Sequence, residues 1–452
     1  MAKSEAEFLK DARPLAESLI DYAMSGTAYG ITDAKVFIAA SDKQEYSIEK
    51  GEIARSVSGA SYSVSITLYA GDRTLSFTRN TLDEKELQDA MLKNMKAIGV
   101  VPPNPNKRLL EEDKLFKGPE PDLDLFDKKP PTDADLIAYA KEVEAEAMAQ
   151  KGVKGARSVS ITRLDSHFLV LATNGLDRHE SKTRYSAGAI VIAEDQNGMQ
   201  NGGEGSTARH FNDMAKPKEL GKMAGQDAVS KLSATLPATG QMPIVLDNDA
   251  AEAFFSSVYD AIDGTALYRG ATFLKGKIGK QVMAKGVTLV DDPDIRRGLG
   301  SGHVDTAGVE SRKIIHIEDG VLKSFNATLL ESRQLCMEPT GRENGPTNGM
   351  ILPGTLTPDA LIADIKEGIL IKGFNGGTVD VNNGNHSRQA YGLLIKDGKI
   401  TDTPVAGFVV SGNLKDMFMN VVLANDTPAM PSTRHSLAAP TTRINGVTIA
   451  GK

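Results

Sequence analysis

The sequence predicts an α+β protein: an N-terminal α/β region with antiparallel strands flanked by helices, followed by a β-rich C-terminal domain. Three observations predict this order. Residues 1–235 alternate amphipathic helical patterns with strand-like runs. The 452-residue chain is longer than one typical hydrophobic core, which indicates two or three domains. Beyond Gly264, glycine-punctuated strand patterns dominate, with Asp-Gly and Asn-Gly pairs between alternating apolar runs.

The first predicted subdomain covers residues 1–100. It begins with a helix over 5–24, whose leucines share one face and which Pro14 would kink or restart. A second helix over 81–99 has Thr81 as its predicted N-cap and acidic residues in its first turn. Between the helices, alternation of apolar and polar residues predicts strands at 34–40, 63–70 and 74–78.

The second predicted subdomain, residues 132–235, follows an irregular connection over 101–131. Too many prolines punctuate that connection for regular structure. Helical patterns cover 132–150 and 217–234. Between them, strand patterns occur at 156–163, 167–173 and 184–194.

The third predicted domain, residues 242–452, follows a linker at 236–241. Helical patterns are expected at 248–263 and 357–369, and strands are expected over most of the remainder. Type I′ turns need positive φ at both central residues, which Asp-Gly and Asn-Gly pairs tolerate. Three such pairs therefore predict hairpins: Asp319-Gly320, Asp397-Gly398 and Asn445-Gly446.

Composition excludes several classes of function. The net charge of −7 argues against a large nucleic-acid footprint, which needs clustered Lys and Arg. No apolar run approaches the roughly 20 residues that span a bilayer, and the N-terminus is acidic where a signal peptide is basic. A single cysteine, Cys336, excludes an internal disulfide and a multi-cysteine zinc site. We therefore expect a cytoplasmic protein without membrane or direct nucleic-acid partners.

The histidines are the first candidates for chemistry. His303 and Asp305 form an H-x-D pair, but two ligands are too few for zinc. His316 alternates with isoleucines and is predicted to be a sheet residue. His386 lies in an Asn- and Gly-rich cluster that favours a tight turn over a metal or proton-transfer role.

Two other features also favour structural interpretations. The glycine-rich run at 296–310 is followed by a strand pattern, whereas a dinucleotide-binding loop needs a helix there, so we interpret it as a flexible turn. Cys336 stands in the apolar stretch RQLCM and is predicted to be a packed small side chain. The residues by themselves thus indicate no active site.

The second half of the chain nevertheless resembles a known family. The stretches that carry the resemblance are YRGATFLKGKIGKQV, VDTAGVESRKIIHIEDGVL, LPGTLTPDALIADIKEGILI, GFNGGTVDVNNGNHSRQAYGLLIKDGKITDTPV, SGNLKDM and INGVTIAGK. They are similar to the TldD/PmbA family, whose members are described as metalloproteases and as modulators of DNA gyrase. The resemblance implies a two-lobed protein whose C-terminal domains associate into a dimer around a cavity.

The resemblance to this family allows a test of whether the chain carries a zinc site. The family's TldD branch carries H-E-x-x-x-H on a helix, and a cysteine near the C-terminus completes the zinc site. The positions that match the two histidines are Phe255 and Asp260, and Ser256 matches the glutamate. Phenylalanine cannot ligate, serine cannot act as the general base, residues 429–452 contain no cysteine, and Cys336 lies far upstream. The departure implies the other branch, PmbA (TldE), and we assign no catalytic, cofactor-binding or metal residue to this chain.

Three functions follow from the resemblance. The first is a zinc-free subunit of a cytoplasmic metallopeptidase complex that acts on unfolded or extended peptides, with zinc in a TldD-like partner. The second is a stand-alone metallopeptidase with a site drawn from His303, Asp305, His316 or His386. The third is a non-enzymatic modulator of DNA gyrase or toxin–antitoxin proteins. The sequence leaves open whether the partner is a TldD-like subunit or a second copy of the chain, and which peptides are bound.

Overall fold

The computed structural model describes residues 4–430 and 437–452. Helices and strands mix throughout, with antiparallel sheet in the first half and sheet-rich structure in the second, which confirms the predicted fold class. Within the described ranges, no helix is long and apolar enough to cross a membrane. The α-helices there are α1 Glu5–Met24, α2 Glu84–Ala97, α3 Asp133–Met148, α4 Pro217–Val229, α5 Asn248–Ala261, α6 Gly264–Arg269, α7 Leu329–Leu335, α8 Pro358–Ile362 and α9 Leu414–Met419.

The strands of the described residues form three sheets. The first sheet contains β1 Asp33–Glu49, β2 Glu52–Ala70, β3 Arg73–Arg79, β4 Val153–Ala172, β5 Asp177–Asp195 and β6 Gly198–Ala208. The second contains β8 Leu289–Asp291, β9 Ile314–Glu318, β10 Val321–Leu322, β11 Gly349–Ile351 and β16 Leu437–Ala438. The third contains β7 Gly240–Leu246, β12 Glu367–Asp380, β13 Asn385–Lys396, β14 Lys399–Asn413, β15 Val421–Leu423 and β17 Thr442–Ala450.

The first sheet joins the two N-terminal segments. Its order is β3-β2-β1-β4-β5-β6, and every neighbouring pair is antiparallel. The segments 1–100 and 132–235 each supply three strands, and β1 pairs with β4 across the irregular connection. The division into these two segments stays a prediction.

One face of this sheet carries the four N-terminal helices. Val36 and Ile38 face α1 and α2, while Val159 and Ile161 face α3 and α4. The register of β1 against β4 explains why both helix pairs lie on the same side, since Ile38 pairs with Leu169 and residues alternate faces along each strand. The opposite face contacts the C-terminal half through a cluster that includes Phe37, Phe168, Val170, Ala307 and Val309.

Three N-terminal predictions need correction. The predicted strands 156–163 and 167–173 are one strand, β4, and β6 was not predicted because its glycine-rich sequence has no apolar alternation. Helix α2 begins at Glu84 with Asp83, not Thr81, as its N-cap. The Asp83 carboxylate accepts the Glu86 N–H at 2.8 Å, whereas the Thr81 hydroxyl accepts the N–H of Asp83 before the helix starts.

In the C-terminal half, tertiary pairing shortens a predicted helix. Helix α8 ends at Ile362, and the chain continues as β12 from Glu367 instead of remaining helical to residue 369. Ile369 pairs in parallel with Ile244 of β7 and is fully buried. Burial in this central strand outweighs the helical periodicity of the local sequence.

The three predicted hairpins have two different outcomes. Asp319-Gly320 joins β9 to β10, and Asp397-Gly398 joins β13 to β14, with positive φ at all four residues, so these predictions are confirmed. Asn445-Gly446 is not a hairpin: it lies within β17, where the register against β7 shifts between Ile444 and Val447. A Gly with φ of 69° at such a shift forms a bulge.

Candidate functional site

Helix α5 is the element at which the resemblance places zinc ligands. It begins after Asp247, whose carboxylate accepts the Ala250 N–H at 3.0 Å and lies 2.7 Å from Nζ of Lys372. Burial raises the pKa of Asp247 even though Lys372 acts in the opposite direction. The N-cap and the lysine fix the start of α5 next to β12.

The three positions aligned with the zinc motif have other surroundings than a metal site. Phe255 is fully buried, and its ring stacks on Phe418 with centroids 6.2 Å apart. The Ser256 hydroxyl donates to the Ala253 carbonyl at 3.0 Å, and Asp260 is solvent-exposed. The Phe255 side chain has no atom that can ligate a metal, and the Ser256 hydroxyl is bonded within the helix. These residues do not fit a zinc ion.

The histidine in the Asn- and Gly-rich cluster is a core residue. Asp380 and Asn383 do organise a turn, because their side-chain oxygens accept the N–H groups of Asn382 and Asn385. The turn prediction is nevertheless wrong for His386, which lies in β13 and is only 2% exposed. Because β13 starts at Asn385, His386 is already part of the sheet, and its side chain is buried in the core.

The surroundings of His386 are aromatic. Its ring packs edge-on against Phe254 of α5 and Phe374 of β12, and Nδ1 lies 3.2 Å from the carbonyl oxygen of Val410. Burial lowers the pKa of His386 to about 4, which keeps the imidazole neutral near pH 7. A neutral, enclosed imidazole is suited to packing.

His316 is a buried sheet residue, as predicted. It lies in β9, is fully buried, and has Nδ1 3.3 Å from the Ser324 carbonyl. Burial lowers its pKa to about 4, and the Asp291 carboxylate acts in the opposite direction. The Asp291 carboxylate is itself paired with Arg342, so it is already engaged in an internal ion pair.

His303 and Asp305 have separate roles. Nδ1 of His303 lies 2.8 Å from the Asp294 carboxylate. The Asp305 carboxylate accepts the N–H groups of Ala307 and Val309 at 2.9 and 3.0 Å, and burial raises its pKa. Asp305 therefore organises the turn that the glycine-rich run was predicted to form, and no helix follows that run.

The described residues supply no assembled metal centre. Between 4 and 430 and from 437 to 452, no three His, Cys, Asp or Glu side chains are placed to hold a metal ion. The cysteine-free segment 429–452 is described only in part, since 431–436 lie outside the described residues. Cys336 is exposed rather than packed, because α7 ends at Leu335 and Cys336 caps it in a left-handed conformation.

A surface feature that the sequence did not reveal lies beside Cys336. The irregular connection, the start of β9 and the end of α7 enclose a cleft of about 1210 Å³. We call it the cationic cleft, after the six basic side chains that line it: Arg108, Lys114, Lys117, Arg312, Lys313 and Arg333. These residues are spread over 226 positions of the chain, so no local motif predicts their proximity.

Comparisons with known proteins identify the family. A family model described as the PmbA/TldA metallopeptidase C-terminal domain matches residues 239–451, and one for the central domain matches 126–232. Metalloprotease PmbA of Escherichia coli O157:H7 is 25% identical over 445 residues, which cover 97% of each chain.

Solved structures agree with the sequence matches. A candidate modulator of DNA gyrase from Bacteroides thetaiotaomicron superposes with a TM-score of 0.89 at 25% identity, over 97% of this chain and 99% of that one. TldE from Thermococcus kodakarensis shares the fold, with a TM-score of 0.83 at 20% identity over 97% and 100% of the two chains. The two family models together match more than two thirds of the sequence. The chain therefore belongs to the PmbA/TldD family of metallopeptidases.

Proposed function

We propose that this chain is a PmbA/TldE-like subunit of a metallopeptidase complex and relies on a TldD-like partner for zinc. The observation that carries the proposal is the packing of α5, where Phe255 fills the hydrophobic core at a position expected to hold a zinc ligand. A hydrolytic zinc site needs about three protein ligands and an open water position. Helix α5 offers a buried ring, an internally bonded hydroxyl and an exposed carboxylate instead.

The proposed substrate is an extended or unfolded peptide, and the proposed compartment is the cytoplasm. Peptides in extended conformation bind by adding a strand to an exposed sheet edge. In the described structure, β10 pairs only with Ile317 and Glu318 of β9, so Ile314 and Ile315 have a paired strand on one side only. A single cysteine is consistent with a reducing compartment.

The test begins with affinity purification of the full chain from native cells. The expected result is a TldD-like protein in the eluate, with zinc in stoichiometric amount to that partner. Peptide cleavage is expected from the pair and not from the isolated chain, and chelation should abolish it. Stoichiometric zinc with chelator-sensitive cleavage by the isolated chain would overturn the proposal in favour of a stand-alone peptidase.

Two variants test whether α5 takes part in catalysis or only packs in the core. We expect Ser256→Ala and Asp260→Asn to leave cleavage by the complex within about twofold of the wild type. Removal of a true acid–base group usually costs about 10²-fold or more in rate. A loss of that size with unchanged zinc content would assign chemistry to this helix.

A second candidate is a non-enzymatic modulator of DNA gyrase. The description of the Bacteroides thetaiotaomicron structure favours it. It predicts that gyrase or its toxin partners co-purify with the chain when no peptidase partner is present. Co-purification of only a TldD-like subunit would count against it.

A further inference from the structure

The cationic cleft differs in charge from the rest of the chain. The protein has a net charge of −7, yet six basic and only three acidic side chains line this cleft. One carboxylate, Glu111, forms ion pairs with three of the cations: it lies 3.1 Å from Arg108, 3.7 Å from Lys114 and 3.4 Å from Arg333. A single negative charge cannot neutralise three cations, so this wall of the cleft keeps a positive potential.

Structural contacts hold the wall in place. Arg333 donates to the carbonyl oxygens of Asn106, Arg108 and Leu109 at 3.2, 2.7 and 2.8 Å. It thereby attaches the irregular connection to α7. Arg312 and Lys313, on the opposite wall, are 79% and 62% exposed, and each pairs with one carboxylate, Glu310 at 2.8 Å and Asp292 at 3.0 Å. Exposed ion pairs are weak, so a carboxylate of a ligand can compete for both cations.

The cleft also offers apolar contacts and a strand edge. Leu110, Leu115 and Val309 form buried parts of its lining, and the Ile315 side chain is 41% exposed beside them. Ile315 belongs to the part of β9 that has a paired strand on one side only within the described residues. A backbone edge, apolar contacts and surrounding cations are features that recognise an extended acidic peptide.

We propose that the cationic cleft binds extended peptide segments rich in Asp and Glu, which add a strand to β9 at Ile314 and Ile315. This inference rests on the proposed peptide-handling function and names the substrate class that the site prefers. A nucleic acid suits the cleft less well, because the overall charge of the protein is negative. The volume of about 1210 Å³ exceeds the roughly 300–1,000 Å³ of small-molecule pockets.

Fluorescence anisotropy on the isolated full chain tests the proposal. The probe is a labelled peptide in which Glu alternates with Val and Thr, and the reference is the same peptide with Gln in place of Glu. We expect the acidic peptide to bind about tenfold more tightly at low salt, with the difference shrinking as ionic strength rises. N-methylation of alternate amides, which removes backbone donors, should weaken the acidic peptide further if it binds as a strand.

The variant Arg312→Glu/Lys313→Glu should abolish the preference for the acidic peptide. The matched control is Lys396→Glu/Lys399→Glu, which changes the charge equally at an exposed pair on the β13–β14 hairpin, outside the cleft. Retained thermal unfolding midpoints show that both variants fold. Equal binding of the two peptides, an equal loss in both variants, or tighter binding of a single-stranded oligonucleotide would overturn the proposal.

The result of the peptide-binding test can be distinguished from the result of the test of the proposed subunit function. Peptide binding is measured without a peptidase partner, so its failure leaves co-purification and partner-dependent cleavage intact. Conversely, acidic-peptide binding by a chain that recovers no TldD-like partner would refute the subunit role and keep the cleft assignment.

Discussion

Arg342 and Asp291 form an ion pair in which both side chains are shielded from solvent. Nη2 of Arg342 lies 3.3 Å from Oδ1 of Asp291, and the side chains are 1% and 0% exposed. Asp291 also accepts the Thr347 N–H at 3.1 Å. The pair therefore joins β8 to the segment that leads into β11.

Removing one member of this pair should destabilise the protein strongly. We expect Arg342→Met to lower the free energy of unfolding by about 3–5 kcal/mol, because it leaves a buried carboxylate without a counter-charge. Arg342→Met/Asp291→Leu should cost less than the single variant, since no charge then remains buried. Chemical denaturation of the three proteins measures this, and a single-variant cost below about 1 kcal/mol would contradict it.

The buried imidazole of His386 should make stability depend on pH. Its pKa in the folded state is about 4, whereas the ordinary value is 6.5. Between these values the unfolded chain binds a proton that the folded chain does not, so stability falls as the pH is lowered from about 6.5 towards 4. The contribution of His386 at pH 5 is a loss of about 2 kcal/mol relative to pH 7.5.

His386→Phe tests this contribution, because phenylalanine keeps an aromatic ring among Phe254 and Phe374. We expect a smaller decrease of the unfolding midpoint between pH 7.5 and pH 5 than in the wild type. His316, which has a similarly lowered pKa, keeps part of the pH dependence. Identical pH profiles for the variant and the wild type would rule out a titrating role for His386 in stability.

Two glycines with positive φ allow steric overlap to be separated from backbone strain. Gly398 has φ of 72° and Gly446 has φ of 69°. A Cβ at Gly398 would overlap the Ala363 carbonyl oxygen, whereas one at Gly446 would meet nothing within 4 Å. Gly446→Ala should cost about 1 kcal/mol of strain, and Gly398→Ala should cost clearly more. Equal shifts of the thermal midpoint would show that the hairpin relaxes around the added methyl group.

Phe255 should behave as a core residue. We expect Phe255→Ala to destabilise the chain by about 3–5 kcal/mol, because it leaves a cavity beside Phe418. The control is Tyr268→Ala, whose side chain is 53% exposed and whose loss should cost less than about 1 kcal/mol. Urea denaturation of both variants compares them, and similar costs would mean that Phe255 is not packed as described.

Local signals predicted much of the fold. Helix α1 spans residues 5–24, as its periodicity predicted, and runs through Pro14 as a single helix. A capping box of Thr132 and Asp135 starts α3 at Asp133, within one residue of the prediction. The Asp-Gly turns at 319–320 and 397–398 follow from dihedral preferences of the two residues themselves. These features depend on neighbours in the sequence, which is why the sequence reveals them.

The candidate sites depended on tertiary contacts. Whether His386 lies in a turn or in the core depends on where β13 starts to pair with β12, which local residues do not encode. The cationic cleft brings Arg108 of the irregular connection close to Arg312 and Arg333 of the C-terminal half. No window of sequence contains both walls.

The sequence by itself determined the fold class, the helices with clear caps, the Asp-Gly hairpins and the departure of Phe255, Ser256 and Asp260 from a zinc motif. The tertiary structure alone decided that β6 pairs with β5, that Asn445-Gly446 is a bulge, and that His386 is buried. The reason is physical. Helix caps and tight turns are stabilised by hydrogen bonds within a few residues, whereas strand pairing, side-chain burial and local potential arise from residues far apart in the chain.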